Sequence, residues 1–280
     1  MTPEQDPGLA GRTIAGYRLE VKLGEGAMGI VYRARRSPGG SPVALKVLRP
    51  ELGSNALFAQ RFLREARVAR DVQHERLVPI IDAGQADSTH YLAMAYVDGE
   101  SLEERLRGAP LETHESLLLI ADVAAGLDAL HAHDLVHRDV KPSNVLMSSQ
   151  GHALLTDFGL ARGPAHTALT KPGQLVGTPH YLAPEIIRGD AASPASDIYA
   201  LGCLAYASLS GRPPFDNANL FQVTIAHLDV DPPKLAERVD GVPPLLDAAV
   251  RAALAKEPAS RPKSARAYAL SLWSAGRPSV

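Results

Sequence analysis

The sequence predicts an α+β fold of two lobes, a small β-rich lobe followed by a larger and mainly helical one. From Tyr17 to about Tyr96, short apolar runs separated by Gly and Pro are typical of strands joined by tight turns. Beyond about Asp98 the pattern changes to long stretches with helical periodicity. The 280 residues are enough for both lobes to bury a core.

Five runs in the first part predict strands, at residues 17–25, 29–36, 42–49, 77–84 and 90–97. One helical stretch, about 56–73, interrupts them. The main helices predicted further on cover residues 115–133, 196–210, 245–256 and 264–273. The predicted organisation is a flexible N-terminal lead-in over 1–16, an N-lobe over 17–97, a C-lobe over 98–275 and a tail over 276–280.

Composition narrows the functional classes. Hydrophobic residues make up 45% and charged residues 21%, which is ordinary for a globular chain. The formal net charge of −2 gives no general reason to expect binding to nucleic acid or to an anionic membrane. The N-terminus lacks an apolar signal segment, and no apolar run reaches the length of a bilayer span. The single Cys203 is predicted to be a buried, inert thiol in a reducing compartment.

A glycine-rich motif, "GEGAMGIV", occupies residues 24–31 between two predicted strands. A dinucleotide-binding version of this pattern would instead lead into a helix. A strand–loop–strand of this kind can fold over a polyphosphate, because Gly24, Gly26 and Gly29 allow the backbone to approach it closely. An ordinary hairpin turn remains the alternative for the motif by itself.

Two charged residues in the first lobe suggest a partnership. In "VALK", Ala44 and Lys46 share one face of a strand, which suits a flat ring against Ala44 and a phosphate at Lys46. On the helix at 56–73, Glu65 falls on the apolar face, where a carboxylate is costly unless a cation meets it. Lys46 is the natural candidate. The alternatives are a solvated edge position for Glu65 and a surface lysine at 46.

Two polar segments of the second lobe carry further candidates. "HRDVKPSN", residues 137–144, combines a possible base, two cations and an amide around a proline. "TDFGL", residues 156–160, places Asp157 between a strand-like run and a turn. Asn144 and Asp157 offer the oxygen ligands that Mg²⁺ prefers. Taken singly, each segment could be an ordinary polar turn.

Taken together and in this order, the motifs resemble those of the protein kinase family, and in particular the bacterial Hanks-type serine/threonine kinases. The residues that carry the resemblance are "GEGAMGIV", "VALK", "HRDVKPSN", "DFG" at 157–159 and "APE" at 183–185. It extends from about Tyr17 to Leu272. It implies a bilobal kinase catalytic domain that transfers the γ-phosphoryl group of ATP to Ser or Thr hydroxyls of proteins.

The resemblance also implies a role for each residue of the two polar segments. Asp139 would accept the proton of the substrate hydroxyl or orient that hydroxyl, and Lys141 would stabilise the transferred phosphoryl group. Asn144 and Asp157 would hold Mg²⁺, with Mn²⁺ as an alternative. Arg138 would pair with a phosphorylated activation segment.

The resemblance also implies which residues would bind the nucleotide. Lys46, paired with Glu65, would contact the phosphates beneath the glycine loop. The apolar side chains implied to enclose the adenine are Leu23, Val31, Ala44, Met94 and Leu146. The segment from Ala95 to Val97 would bind the base edge through its backbone. Family members often carry an acidic residue where Ala95 stands, which puts the affinity in question.

Several further residues receive structural or regulatory expectations from the resemblance. His137 would pack near Phe158, and Asp197 would accept backbone N–H groups of the 137–144 loop. Arg261 would pair with Glu185. Thr178 would contact Asp139 and Lys141, and the regulatory phosphorylation sites expected are Thr170 and Thr167.

Two rival interpretations are a pseudokinase and a small-molecule phosphotransferase. The presence of Lys46, Asp139 and Asp157 argues against the first, and the "APE" segment with Arg138 argues against the second. The expected partners are ATP and protein substrates, with a possible homodimer for trans-autophosphorylation, no nucleic acid and no membrane segment. The expected location is cytoplasmic, including as the cytosolic part of a longer membrane-anchored protein.

Overall fold

The computed structural model of the chain describes residues 9–36, 39–158 and 179–276. These residues form two compact units. The N-terminal unit contains the described residues up to Gln73 together with Val78–Asp98, and the C-terminal unit contains His74–Leu77 and the described residues from Gly99 onward. No helix among the described residues is long and apolar enough to cross a bilayer.

The N-terminal unit is a six-stranded antiparallel sheet with one long helix. Its elements are β1 (Thr13–Ile14), β2 (Tyr17–Glu25), β3 (Gly29–Arg35), β4 (Pro42–Leu48), α1 (Pro50–Gly53), α2 (Ala56–Asp71), β5 (Ile80–Ala86) and β6 (Thr89–Ala95). The strand order is β1-β2-β3-β4-β6-β5. All five predicted strands are present, and the one between 77 and 84 begins three residues later than expected.

One face of this sheet is the hydrophobic core of the unit. Its buried members are Ile14, Tyr17, Leu19, Tyr32, Ala34, Val43, Leu45, Val47, Tyr91 and Ala93. On β4 the core residues alternate with Ala44 and Lys46, so those two side chains belong to the opposite face. Burial of the core residues therefore fixes the register of β4, and this register places Ala44 and Lys46 together on the other face.

The flexible lead-in predicted over residues 1–16 is too long at its C-terminal end. Thr13 and Ile14 pair with Arg18 and Tyr17 as strand β1. Ile14 is buried in the core, and Leu9 packs against it. A two-residue strand followed by a tight turn gives little periodicity in the sequence, whereas the burial of Ile14 supplies a physical reason for it to be ordered.

Helix α2 is amphipathic, as its sequence predicts. The side chain of Asn55 accepts a hydrogen bond from the N–H of Phe58 (3.1 Å) and caps the helix N-terminus. The buried face consists of Phe58, Ala59, Phe62, Ala66 and Ala69. Glu65 lies half-buried at the margin of this face, whereas Arg64, Arg67 and Arg70 are exposed.

The C-terminal unit is mainly helical, with one small three-stranded sheet. Its elements are β7 (Gly99–Ser101), α3 (Leu102–Leu106), α4 (Thr113–His131), β8 (Val145–Ser148), β9 (Ala153–Leu155), α5 (Pro184–Arg188), α6 (Pro194–Ser210), α7 (Leu220–Asp229), α8 (Pro244–Ala253) and α9 (Ala265–Ala275). The sheet order is β7-β8-β9. The four predicted helices correspond to α4, α6, α8 and α9, within three residues at each end.

Helix α6 forms the centre of this unit. Every residue from Ser196 to Leu209 is buried, including Cys203. Burial raises the pKa of the Cys203 thiol well above its usual range, so the thiol stays protonated, as predicted. Gly211, with φ of 78°, ends the helix in the left-handed conformation that glycine adopts without strain.

The segment His74–Leu77 belongs to the C-terminal unit although the sequence placed it in the N-lobe. The carbonyl of Arg76 accepts a hydrogen bond from the N–H of Leu155 (2.9 Å), and Leu77 pairs with Leu155 as an isolated β-bridge. The Arg76 guanidinium also contacts the carboxylate of Asp122 on α4 at 2.7 Å. These contacts explain why strand β5 begins only at Ile80.

Candidate active site

The second face of the N-terminal sheet carries four of the predicted nucleotide-binding side chains. Val31 on β3 is directly opposite Lys46 on β4, and Met94 on β6 is directly opposite Ala44. Residues directly opposite each other in an antiparallel pair share a face, and so do Ala44 and Lys46, two residues apart. Lys46 and Met94 are buried, at 8% and 5% exposure. The strand register therefore assembles these side chains as one surface.

The three glycines of the loop have different environments. A Cβ built on Gly29 would lie 2.1 Å from the carbonyl oxygen of Val47, so β4 itself excludes any side chain there. A Cβ on Gly24 or Gly26 would meet nothing within 4 Å. Gly29 is thus explained by strand packing. Gly24 and Gly26 keep a backbone that a ligand could approach, and the neighbouring Leu23 is exposed.

The predicted hinge segment follows β6. The N–H of Ala95 donates to the carbonyl of Pro79 (2.9 Å), so this donor is used within the N-terminal unit. Any backbone donor that this segment offers to a base edge therefore has to come from beyond Ala95. Val97, two residues later, is half-buried.

Lys46 and Glu65 both lie in the N-terminal unit, on β4 and α2 respectively. A buried lysine requires an acceptor for its charge, and Glu65 at the margin of the buried face of α2 is chemically suited. Their pairing stays a prediction.

The 137–144 loop concentrates its polar side chains around Asp139. The Lys141 Nζ contacts Asp139 Oδ2 at 2.9 Å. The Asn144 Nδ2 donates to the same Oδ2 (3.0 Å) and to the carbonyl oxygen of Asp139 (2.8 Å). A cation and an amide therefore fix the orientation of one carboxylate. An ordinary polar turn at the surface would not require this arrangement.

Asp197, at the start of α6, holds the beginning of this loop. It is 1% exposed, and its two carboxylate oxygens accept the N–H groups of His137 (2.8 Å) and Arg138 (2.9 Å). The expected scaffolding role of Asp197 is thereby confirmed. Arg138 has φ of 68°, an unfavourable conformation for a residue with a side chain, and the bond to Asp197 stabilises it.

Both ring nitrogens of His137 are used in hydrogen bonds that hold the loop, which agrees with the expected structural role. Its Nε2 lies 3.2 Å from the carbonyl oxygen of Thr156, and its Nδ1 accepts the N–H of Asp139 at 3.3 Å. Desolvation by complete burial lowers its pKa, although Asp197 and Asp139 oppose the shift. Because Nε2 donates and Nδ1 accepts, the ring is neutral. Its centroid lies 6.4 Å from that of Phe158, as expected.

The hairpin of β8 and β9 brings the two predicted metal ligands to the same end. Val145 pairs with Leu155, and the N–H of Thr156 donates to the carbonyl of Asn144 at 3.0 Å. Asp157 is the next residue and has φ of 59°. Because Asn144 directs its Nδ2 toward Asp139, its Oδ1 is oriented away from that residue.

The donor set of Asn144 and Asp157 fits a hard divalent cation that is shared with phosphate oxygens. Mg²⁺ is typically held by one or two carboxylates and retains other oxygen ligands. Among the described residues, no three His, Cys, Asp or Glu side chains form a metal cluster, so a site made wholly of such side chains is absent from that part of the protein.

Within the C-terminal unit, the structure thus brings together Asp139, Lys141 and Asn144, and it places Arg138, Leu146 and Asp157 on the same loop and hairpin. The expected bridge between Arg261 and Glu185 is also confirmed. Arg261 Nη1 and Nη2 contact the two carboxylate oxygens of Glu185 at 2.6 and 2.7 Å. The predictions for Thr167, Thr170, Thr178 and Gly159 concern positions outside the described residues.

Sequence reasoning missed one residue of this network. The ring Nε2 of His131, at the end of α4, lies 2.8 Å from Asp197 Oδ2. Asp197 therefore has a side-chain partner as well as two backbone donors. A histidine in the last turn of a helix is usually explained by the helix dipole, so the sequence offered no specific signal for this contact.

Comparison with known proteins agrees with this geometry. Residues 17–271 match the family model described as protein kinase domain. The chain belongs to the protein kinase domain family, and its α+β kinase fold is confirmed. Members of this family use ATP and a divalent metal ion.

The relatives are bacterial. Serine/threonine-protein kinase PknJ of Mycobacterium tuberculosis is 39% identical over 266 residues, which cover 93% of this chain and 45% of the relative. PknL of the same organism is 38% identical over 247 residues, covering 88% and 62%. The crystal structure of the M. tuberculosis PknI kinase domain has a TM-score of 0.78 and 34% identity, covering 94% of this chain and 96% of that one. The chain thus spans less than two thirds of the length of PknJ and of PknL. Together these matches confirm the resemblance to bacterial Hanks-type kinases.

The different environments of the glycines lead to a first prediction. Gly29→Ala should destabilise the protein by more than about 1 kcal/mol, because its Cβ would overlap a carbonyl oxygen of β4. Gly26→Ala, which meets open space at an unstrained φ, should leave the free energy of unfolding nearly unchanged. Urea unfolding of the two variants and the wild type measures this difference. Equal midpoints for the two variants would contradict the steric explanation of Gly29.

Proposed function

We propose that this chain is a serine/threonine protein kinase catalytic domain that transfers the γ-phosphoryl group of ATP to Ser or Thr hydroxyls of proteins. The observation that carries the proposal is the carboxylate of Asp139, held by Lys141 and Asn144 at 2.9 and 3.0 Å. The names of the relatives support the same activity.

The chemistry assigned to the loop follows from its charges. Asp139, with a fixed orientation, would align the substrate hydroxyl for in-line attack and accept its proton as the new O–P bond forms. Lys141 would stabilise the negative charge of the transferred phosphoryl group, since a cation already positioned there needs no reorganisation during the reaction. Asn144 keeps the Asp139 carboxylate in place throughout.

The nucleotide would be bound by the residues of the N-terminal sheet. Lys46, oriented by Glu65, would neutralise phosphate oxygens, and the open backbone at Gly24 and Gly26 would lie against the phosphates. Val31, Ala44 and Met94, together with Leu23 and Leu146, would enclose the adenine. The segment Ala95–Val97 would supply the backbone groups for its edge.

Mg²⁺ is the proposed metal ion, with Mn²⁺ as the alternative, and Asn144 and Asp157 are its proposed ligands. When bound, such an ion neutralises phosphate charge and orients the phosphates. The hairpin supports this choice of ligands, because Asn144 precedes β8 and Asp157 follows β9 at the same end.

Preference for Ser and Thr over Tyr is supported by Lys141 in the catalytic loop and by Gly177-Thr178 before the "APE" segment. Regulation is proposed through trans-autophosphorylation, within a transient homodimer, at Thr170 and also at Thr167. The doubly charged phosphate would pair with Arg138. The backbone of Arg138 is already held by Asp197.

The activity can be tested with radiolabelled ATP and a generic protein substrate. The wild type should label the substrate, and Asp139→Asn should reduce the rate by at least about 100-fold, because the oriented carboxylate is lost. Lys46→Met should reduce it similarly. EDTA should abolish labelling and added Mg²⁺ should restore it.

Equal labelling by the wild type and both variants would contradict the proposal, and labelling by none would favour the pseudokinase. A matched control is Glu103→Ala, which removes an exposed carboxylate on α3 whose contact with Arg107 is 3.7 Å long. Such a surface pair contributes little, so this variant should label at the wild-type rate.

Autophosphorylation can be mapped separately. After incubation with ATP and Mg²⁺, phosphopeptide mapping by mass spectrometry should find phosphate on Thr170 and at lower occupancy on Thr167. Arg138→Ala should lower the activity gained by this modification more than the activity of the unmodified protein, because Arg138 is the proposed phosphate partner. Absence of phosphate from both threonines would refute this route of regulation.

We also propose a cytoplasmic location for this domain, because its proposed phosphoryl donor is a cytosolic nucleotide and its one thiol is free and buried. The same holds if the domain is the cytosolic part of a longer membrane-anchored protein. Protease treatment of intact and permeabilised cells should degrade the domain only after permeabilisation. Degradation in intact cells would contradict this location.

A further inference from the structure

Helix α2 presents a stripe that its own fold does not use, in which Arg61 is half-buried and the other members are exposed. Leu57, Arg61, Arg64 and Val68 follow one another at spacings of four, three and four residues, on the side away from the buried face. Leu57 is 75% exposed and Val68 is 44% exposed. These four residues form what is here called the basic stripe, and it is about 16 Å long.

The positive charge of the basic stripe is not neutralised by the described part of the chain. Within residues 9–36, 39–158 and 179–276, Arg61 and Arg64 have neither an ion pair nor a hydrogen bond, and the same is true of the adjacent Arg67. The protein as a whole carries a formal charge of −2, so this local excess of cations is a departure from the average surface.

Helix α7 presents a stripe of complementary composition, in which Leu228 is half-buried and the other members are exposed. Phe221, Ile225 and Leu228 recur at spacings of four and three residues, and Phe221 is 59% exposed. The chain then continues as Asp229, Val230 and Asp231, all exposed, at the helix C-terminus, where the backbone adds partial negative charge. These six residues form the acidic stripe.

The aspartates of the acidic stripe make no short ion pair within the described part of the chain. Neither Asp229 nor Asp231 makes an ion pair within 4.0 Å among the described residues. Lys256 lies in the same region, but its Nζ donates to the carbonyl oxygens of Ala226 (3.0 Å) and His227 (2.9 Å). Lys256 therefore satisfies the end of α7, and its charge offsets part of the charge of Asp229 and Asp231, while both carboxylates stay exposed to solvent.

We propose that the acidic stripe of one copy of this chain docks on the basic stripe of a second copy. The basic stripe lies wholly on a helix, and the acidic stripe covers about 12 Å of α7 before Val230 and Asp231 continue it in extended conformation. Exposed apolar side chains, Phe221 and Ile225 on one and Leu57 and Val68 on the other, would be covered together. The aspartates at the end of α7 would meet the unpaired arginines of α2.

A second copy fits the basic stripe better than the other anionic partners do. Phosphates of a nucleic acid would use the arginines but not Leu57 or Val68, and the net charge of −2 opposes a polyanion. A lipid surface needs a broad apolar face, which two side chains do not provide. A protein surface that combines apolar and acidic groups satisfies both features, and the acidic stripe is one.

The contact is heterologous, because each copy contributes a different stripe. The interface is small, so the association is weak and depends on protein concentration. Its charged part lies near the surface, so added salt weakens it. Nucleotide takes no part in the contact.

Charge reversal tests the proposal by sedimentation equilibrium over a concentration series that reaches the millimolar range, without ATP. The wild type should associate, and Arg61→Glu/Arg64→Glu should lose association because both stripes are then acidic. Asp229→Arg/Asp231→Arg should lose it because both are then basic. An equimolar mixture of the two double variants should associate again, because each acidic stripe then has a basic partner.

The control variant is Lys263→Glu/Arg266→Glu, which reverses two exposed charges before and within α9 and should associate as the wild type does. Thermal unfolding midpoints of all variants verify that each is folded. A monomeric wild type throughout the series, or a mixture that remains monomeric, would overturn the proposal. This experiment measures no phosphoryl transfer. Its result therefore does not affect the proposed kinase activity, which the labelling assay tests separately.

Discussion

The polar loop at 137–144 of the C-terminal unit depends on the buried carboxylate of Asp197. Removing a carboxylate from water is costly unless donors replace the lost hydration, and here two backbone N–H groups and a histidine ring do so. Those donors come from the segment that precedes Asp139. The need to solvate one buried charge therefore dictates the path of the loop that carries the reactive groups, including the strained backbone of Arg138.

The sequence predicted the strands and the long helices well because hydrophobic periodicity is strong in them. Strand β2 has the predicted limits, and β3 and β4 differ by one residue. Helix α7 and the short α3 and α5 were not predicted. Helix α7 exposes Phe221 and Ile225 and buries Thr224 and His227 beside Val223, so hydrophobicity does not mark its buried face. Five-residue helices are too short for a period to show.

Prediction from the sequence is also limited for single residues of the candidate site. Ordered motifs were enough to indicate Asp139, Lys141 and Asn144, but the sequence assigned Asn144 only to a metal ion. Its second contact, with the carboxylate of Asp139, depends on the turn at Pro142 and could not be read from spacing. Likewise, the glycine motif is uniform in sequence, yet only Gly29 is required by a neighbouring strand.

The single thiol has a practical and biological consequence. Because Cys203 is the one cysteine of the chain and is fully enclosed by α6 and its neighbours, oxidants and alkylating reagents have no accessible sulfhydryl to modify. A reagent directed at thiols therefore has no exposed target in the folded domain. A cysteine introduced at the surface would be the sole point of attachment for a spectroscopic label.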